Sequence, residues 1–200
     1  MATGDSYLAT ERTTARRQAA RGSFDRDLVH AILDEAWVAH LAVAEPEGPR
    51  VLPTTYARVG DSVYVHGSLA NRTFRAASGA PVCLAVTLLD GLVLARSAFH
   101  HSMNYRSVVV YGVAQPVTEA GEKLRALDAI VERAAPGRAM QCRRPTESEL
   151  RSTLVLSLPL IEVSAKVRAG GPVDDETDLA WPVWAGVIPL RLVAGDAVPG

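Results

Sequence analysis

LVLARSAFHHSMNYRSVVVYG, residues 92–112, is the stretch from which the fold can be read. Alternate side chains of an extended chain share a face, so Leu92, Leu94 and Arg96 lie together. From His100 to Arg106 the apolar run gives way to a polar segment. Val108, Val109, Val110 and Tyr111 then restore the β-branched and aromatic residues that suit a half-buried pleated surface. Two strands joined by a polar connection account for the whole stretch. The connection holds two His, a Ser, an Asn, a Tyr and an Arg, more hydrogen-bonding capacity than a turn needs. That surplus points to a ligand.

Upstream, PVCLAVTLL leads into Asp90-Gly91, a dipeptide suited to a tight turn with positive φ, so a hairpin is expected there. Before it, WVAHLAVAE (37–45), PRVLPTTYARV (49–59) and SVYVHG (62–67) read as three strands of an antiparallel meander. Pro53 removes a ladder donor and makes the second of these an edge or bulged strand. Ser23 or Asp25 can cap a helix carrying Leu28, Val29, Ile32 and Leu33 at helical spacing. A short helix over about 71–78 is stopped by Gly79 and Pro81. Downstream, Thr118 and Gly121 open an amphipathic helix with Leu124, Leu127, Ile130 and Val131 on one face, ended at Pro136-Gly137. A short helix near 146–151 precedes TLVLSLPLIEVSAKV, read as the last long strand. Strand–helix–strand alternation is too rare for a doubly wound sheet. The chain is mainly β with peripheral helices, a small antiparallel Greek-key barrel.

At 200 residues the chain is one domain with an arm over 1–22, a barrel domain over 23–192 and a tail over 193–200. A formal net charge of −1 gives no overall attraction to nucleic acid or to an acidic membrane. Cys83 and Cys142 are too few for a disulfide scaffold and lack metal-ligand spacing. No apolar run is long enough to span a bilayer, and the first twenty residues lack a signal-peptide core, so a cytoplasmic location is expected.

The local signals for chemistry are modest. In HGSLANRTFR (66–75) a strand ends at His66 and a helix begins near Asn71, so backbone N–H groups, the Ser68 hydroxyl and the Arg72 fork could hold a phosphate. An ordinary capped helix with solvated Arg72 and Arg75 explains the segment equally well. Of the adjacent Thr54 and Thr55 only one can face a ligand. Arg96, inside an apolar strand, must reach solvent or meet an anion. His100 and His101 do not read as a metal site, since adjacent side chains rarely converge on one ion. Trp181 and Trp184 either stack on an aromatic ligand or anchor the tail.

Taken together, RGSFDRDLVHAILDEA, VLPTTYAR with VYVHGS, LDGLVLARSAFHHSMNYRSVVVYG, PGR, SAKVR and WAGVIPL resemble the split-barrel FMN-binding proteins related to pyridoxamine 5′-phosphate oxidase. Within that family the branch near the nitroimidazole-resistance (Nim) reductases is the most similar. The resemblance implies a six-stranded antiparallel split β-barrel and a homodimer with FMN in clefts at the interface. By position it implies that Arg50, Pro53, Thr54 and Thr55 lie beneath the flavin ring, with Val65 and His66 offering it backbone contacts. Ser68, Asn71 and Arg72 would take the phosphate and ribityl region. Arg106 and Ser107 correspond to an arginine–glutamine pair of the oxidases, and Trp184 to a C-terminal tryptophan. No catalytic acid or base and no metal is implied. The expected function is an FMN-dependent oxidoreductase passing a hydride or electrons from a reduced nicotinamide nucleotide to a small aromatic acceptor. Alternatives are a deazaflavin-dependent reductase, or a flavin or haem carrier or sensor with His66, His100 or His101 as axial ligand.

Overall fold

A computed structural model describes residues 6–200, and in it the chain alternates short helices with eleven strands. In order these are β1 (Gly22–Ser23), α1 (Arg26–Glu35), β2 (Ala39–Glu45), β3 (Gly48–Thr54), β4 (Tyr56–Val59), β5 (Ser62–Ser68) and α2 (Arg72–Ala77). There follow β6 (Pro81–Leu94), β7 (Ser102–Val113), β8 (Gln115–Pro116), α3 (Ala120–Ala134), α4 (Arg138–Gln141) and α5 (Glu147–Ser152). The chain ends with β9 (Thr153–Pro159), β10 (Glu162–Arg168) and β11 (Gly186–Pro189). All pairings are antiparallel. One sheet runs β1-β10-β7-β6-β2-β3, with β11 also on β6, and the other runs β4-β5-β9-β8. This is the split barrel expected from the sequence, mainly β with its helices at the periphery.

The alternation of side chains builds the core. Val63 and Val65 of β5, Leu41 and Val43 of β2, Leu84 and Val86 of β6, and Val108 and Val110 of β7 all point inward. Val29, Ile32 and Leu33 pack α1 into the same core, and Asp25 caps that helix by accepting from the Leu28 N–H at 2.7 Å. The outward face of β5 and β9 meets α3, where Val117, Ala126 and Val155 form a second small cluster beside Tyr64 and Leu127. Positions of opposite parity on one strand therefore serve two different apolar environments.

Three strand assignments from the sequence are corrected. Asp90-Gly91 is not a hairpin turn: β6 runs through it with a register shift at Leu89/Gly91. The Asp90 carboxylate is held by Arg106 of β7, and a Cβ on Gly91 would lie 3.1 Å from the Ile188 carbonyl of β11, so pairing on both sides keeps the segment extended. The 49–59 run breaks at Thr55, with β3 in one sheet and β4 in the other, so the expected meander is divided between sheets. Pro53 does sit on an edge strand. The last long strand likewise breaks at Leu160 into β9 and β10, where the Leu160 N–H donates to the Asp61 carbonyl at 2.8 Å. These two crossings are the corners at which the barrel splits.

The arm expected over 1–22 begins outside the described residues. From Ser6 onward it lies against the barrel: the Tyr7 N–H donates to the Phe24 carbonyl at 2.8 Å, and the Tyr7 ring is buried. Arg12 pairs with Glu162 and stacks 4.7 Å over Tyr111. Among the described residues no helix is long and apolar enough to cross a membrane.

Candidate functional site

His66 belongs to the outward-facing series of β5, between Tyr64 and Ser68. Val65 before it points into the core, so its side chain turns away from any surface ligand. Gly67 after it is packed so closely by Phe74 that a Cβ there would come within 2.7 Å of the ring. The imidazole of His66 is directed into a cavity of 460 Å³ between the sheet and the α3–α5 segment. Leu127, Ile130 and Val131 of α3 supply an apolar wall, and Cys142, Thr153 and the charged Asp128, Arg143, Arg144 and Glu149 also line it. Nδ1 of His66 is buried and has no hydrogen-bond partner among the described residues. Burial holds the ring below the ordinary histidine pKa, so it stays neutral near pH 7. At the rim Arg143 pairs with Glu149 at 2.6 Å and Arg144 with Asp128 at 2.8 Å. A buried orphan nitrogen beside an apolar hollow is costly unless something binds it.

The expected phosphate segment is built as drawn from the sequence, but its groups are engaged. Asn71 caps α2, accepting from the Thr73 and Phe74 N–H groups at 2.9 and 3.2 Å. The Ser68 hydroxyl accepts from the Ala70 N–H at 3.1 Å. Arg72 reaches Glu45 at 2.7 Å and Glu47 at 2.6 Å, both from the β2–β3 turn. Arg50 Nε lies 3.0 Å from the other oxygen of Glu45, off its N–H axis, which leaves that buried oxygen without a hydrogen bond. A phosphate dianion placed on Arg72 would therefore meet two carboxylates. Pro53, Thr54 and Thr55 lie near the end of the same edge strand, with Pro53 and Thr55 exposed.

Arg106 and Ser107 occupy opposite faces of β7. Arg106 faces the barrel mouth, where Asp90 at 2.7 Å and Glu35 at 2.8 Å grip it bidentately. Those bonds raise the pKa of Arg106 above its already high value and lower that of Glu35. A 660 Å³ cleft lies beside this cluster, with Trp37 and the 189–193 segment on its walls. Ser107 points to the outer face and donates weakly to the Lys166 carbonyl at 3.4 Å. Arg96 donates to Asp174 of the C-terminal segment from its backbone N–H at 2.7 Å and from Nη1 at 2.8 Å, so its anion is supplied by the chain itself. Trp184, largely exposed, folds over Gly186. The two adjacent histidines diverge as expected. His101 Nδ1 lies 3.0 Å from the Ser97 carbonyl, and His100 Nε2 lies 3.2 Å from Asp175 in an exposed group with Asp178.

The sequence reading thus placed His66, Ser68, Asn71 and Arg72 next to one another, whereas Arg96 and Arg106 each sit in a separate ion pair. It missed the α3–α5 lining of the His66 cavity, because those residues, Leu127 to Glu149, lie 61 to 83 positions further along the chain. The amphipathic face of α3 was visible, but not what it covers.

The chain is similar to solved structures along most of its length. With the flavocytochrome Anf3 from Azotobacter vinelandii it shares 41% identity at a TM-score of 0.90, over 96% of this chain and 89% of that one. With the FAD and heme binding protein from Mycobacterium smegmatis it shares 35% identity at a TM-score of 0.86, over 90% and 89%. A putative 5-nitroimidazole antibiotic resistance protein from Bacteroides thetaiotaomicron shares the fold at 21% identity and a TM-score of 0.59, over 72% and 84%. No curated protein matches the chain. The family model described as pyridoxamine 5′-phosphate oxidase matches residues 25–167, and by that span and by the split barrel it folds into, the chain belongs to the pyridoxamine 5′-phosphate oxidase family.

Proposed function

We propose that this chain is a flavin- and haem-binding oxidoreductase in which His66 ligates the haem iron. The observation that carries the proposal is the His66 ring on the wall of a largely apolar 460 Å³ cavity, with an Nδ1 that is buried and has no partner among the described residues. Cofactor pockets are commonly about 300–1,000 Å³, apolar, with a few convergent polar groups, and this cavity has that character. His66 and Cys142 are the lining residues of types that ligate haem iron. Arg143 and Arg144 stand at the rim, paired with Glu149 and Asp128, so propionates would meet them only by exchanging with those carboxylates. The neutral imidazole needs no proton removed before it binds a metal. Two relatives support the same reading: one is a flavocytochrome and the other binds FAD and haem.

A flavin would supply the step between two-electron and one-electron chemistry, and a haem one-electron transfer. The protein's share is to hold and orient both, with a reduced nicotinamide nucleotide as donor and a small aromatic molecule as acceptor. FMN is the flavin implied by the family resemblance, and FAD the one named for the Mycobacterium smegmatis relative. The pairing of Arg72 with Glu45 and Glu47 weighs against a phosphate held there. A homodimer and a cytoplasmic location belong to the same proposal.

The test is the absorption spectrum and cofactor content of the full chain reconstituted with haemin and flavin, beside a His66→Ala variant. The variant is expected to lose most of its haem and the associated Soret band while keeping wild-type flavin content and melting temperature. Haem bound by His66→Ala with unchanged stoichiometry and spectrum would refute the assignment.

A further inference from the structure

We propose that a cationic trough on the outer face of β7 and β10 holds the phosphates of a dinucleotide. The trough measures 760 Å³ and is separate from the His66 cavity. Arg17 and Arg21 from the arm, and Lys166 and Arg168 from β10, line it. Lys166 and Arg168 are two apart on one strand and so share a face, and the docked arm brings the other two cations over them. No carboxylate lines the trough, and none of these four cations has a carboxylate partner among the described residues. The neighbouring acid, Asp175, is turned onto His100 at the edge.

Arg168 is the decisive residue. It is 8% exposed, and its guanidinium donates only to neutral oxygens: Asn104 Oδ1, the Gly170 carbonyl at 3.2 Å and the Gly171 carbonyl at 3.1 Å. Gly170 has a φ of +113°, a backbone shape that lets the loop fold back onto the guanidinium. The side chain is thus positioned without its charge being neutralised, and a buried charge without a counterion is costly. An anion in the trough would remove that cost, and four cations match the two charges of a pyrophosphate with room to spare. Phe99, 89% exposed, stands on the trough wall and offers a face on which an adenine can stack.

Two dinucleotides carry this chemistry, the flavin cofactor as FAD and the nicotinamide donor. The inference rests on the proposed oxidoreductase reading only in naming these two; the trough itself can be tested without flavin. Ser107, one of the expected flavin contacts, lies directly across from Lys166 in the β7–β10 ladder, so the two share one face of the sheet.

The experiment titrates the full chain with ADP, inorganic pyrophosphate, NADH, FMN and FAD by calorimetry, at low and high salt. Beside it stand an Arg17→Ala/Arg21→Ala/Lys166→Ala variant, a Phe99→Ala variant, and an Arg125→Ala/Arg138→Ala/Arg151→Ala control of equal charge change. Wild type and control are expected to bind ADP with an affinity that falls as salt rises. The trough variant should bind ADP at least ten-fold more weakly at unchanged melting temperature. Phe99→Ala should weaken ADP about five-fold and leave pyrophosphate alone, as loss of a stacked ring requires. If FAD weakens with ADP while FMN and NADH hold, the trough takes the flavin's own pyrophosphate; if NADH weakens and FAD holds, it takes the donor's. A chain that takes up no flavin in any form fails the flavin reading, and ADP and NADH then decide the trough alone. Equal affinities of wild type and trough variant for ADP, FAD and NADH overturn the proposal. So does an equal loss in the charge control, or a Phe99→Ala variant that binds ADP normally.

Discussion

Tyr56 shows how much a single buried hydroxyl can organise. It reaches the Leu33 and Ala36 carbonyls at 2.5 and 2.9 Å, at the C-terminal end of α1, where helical carbonyls lack intrahelical partners. Arg133 closes the same end, donating to the Asp34 carbonyl at 2.5 Å and stacking 5.0 Å over the Tyr56 ring. Tyr56→Phe leaves a buried carbonyl unsatisfied and is expected to cost about 1–3 kcal/mol in a denaturant titration. Burial also pushes the Tyr56 hydroxyl up to about 12 from 10.0. Between those pH values the unfolded tyrosine has lost its proton and the folded one keeps it. The unfolded state then binds fewer protons, so stability falls as pH rises, by about 1.4 kcal/mol per pH unit from this residue. The difference in stability between wild type and Tyr56→Phe should therefore shrink from pH 10 upward; parallel curves would contradict the buried, protonated hydroxyl. None of this was legible in the sequence, where Tyr56 is one β-former in an apolar run and its partners lie twenty or more residues away. Arg72 is the opposite case. Its place at a helix start was legible, but Glu45 and Glu47 read only as turn residues until the hairpin tip met α2.

At the scale of elements, strand positions were legible because alternation in sequence is alternation in space. Which sheet a strand joins was not. In 49–59 nothing local marks the corner at Thr55, whereas in 153–167 the buried apolar positions change phase at the corner, from Leu156, Leu158 and Leu160 to Val163 and Ala165, a signal that reading the run as one strand passed over. Asp90-Gly91 misled for a related reason: a dipeptide that can turn does not turn when both neighbouring strands hold it. The short helix α5 is better specified. Thr146 and Glu149 form a reciprocal capping box, and Arg143 pairs with the same glutamate. These contacts bring the Glu149 carboxyl down to about 2, with Arg143 the larger cause. Its folded pKa is depressed, so its contribution is present above the ordinary carboxylate range and is lost as pH falls toward 2. Thr146→Ala removes one arm of the cap and should cost about 1 kcal/mol of local stability. Because Glu149 and Arg143 also line the His66 cavity, the protection of 147–152 from hydrogen exchange, taken against the intrinsic rate at each pH, should fall in Thr146→Ala and in wild type below pH 4. Unchanged exchange in both would show that the cap does not hold this wall.

The whole molecule exposes more surface than a compact monomer should. Its accessible area is 12500 Å², whereas a folded monomer of this mass is expected to show roughly 9,100 Å². The arm and the C-terminal segment, drawn out along the barrel, account for part of the excess. Another part is apolar and continuous. Leu92 of β6 pairs with Met103 of β7 on one side and Ile188 of β11 on the other. Directly paired residues face the same way, so the three make one stripe across three strands, with Met103 51% and Ile188 43% exposed. A second copy of the chain is the occupant that the family resemblance implies, and an obligate interface of that kind buries about 2,000 Å² or more. Sedimentation equilibrium at micromolar concentration is expected to give twice the 21.3 kDa chain mass. A Met103→Glu/Ile188→Glu variant places charges on the stripe without touching the core, and it should shift the equilibrium to monomer while α1 and the inner strands stay folded by circular dichroism. A wild-type chain that sediments as a monomer with its cofactors bound would rule the dimer out. A double variant that still sediments as the dimer would move the interface off this stripe.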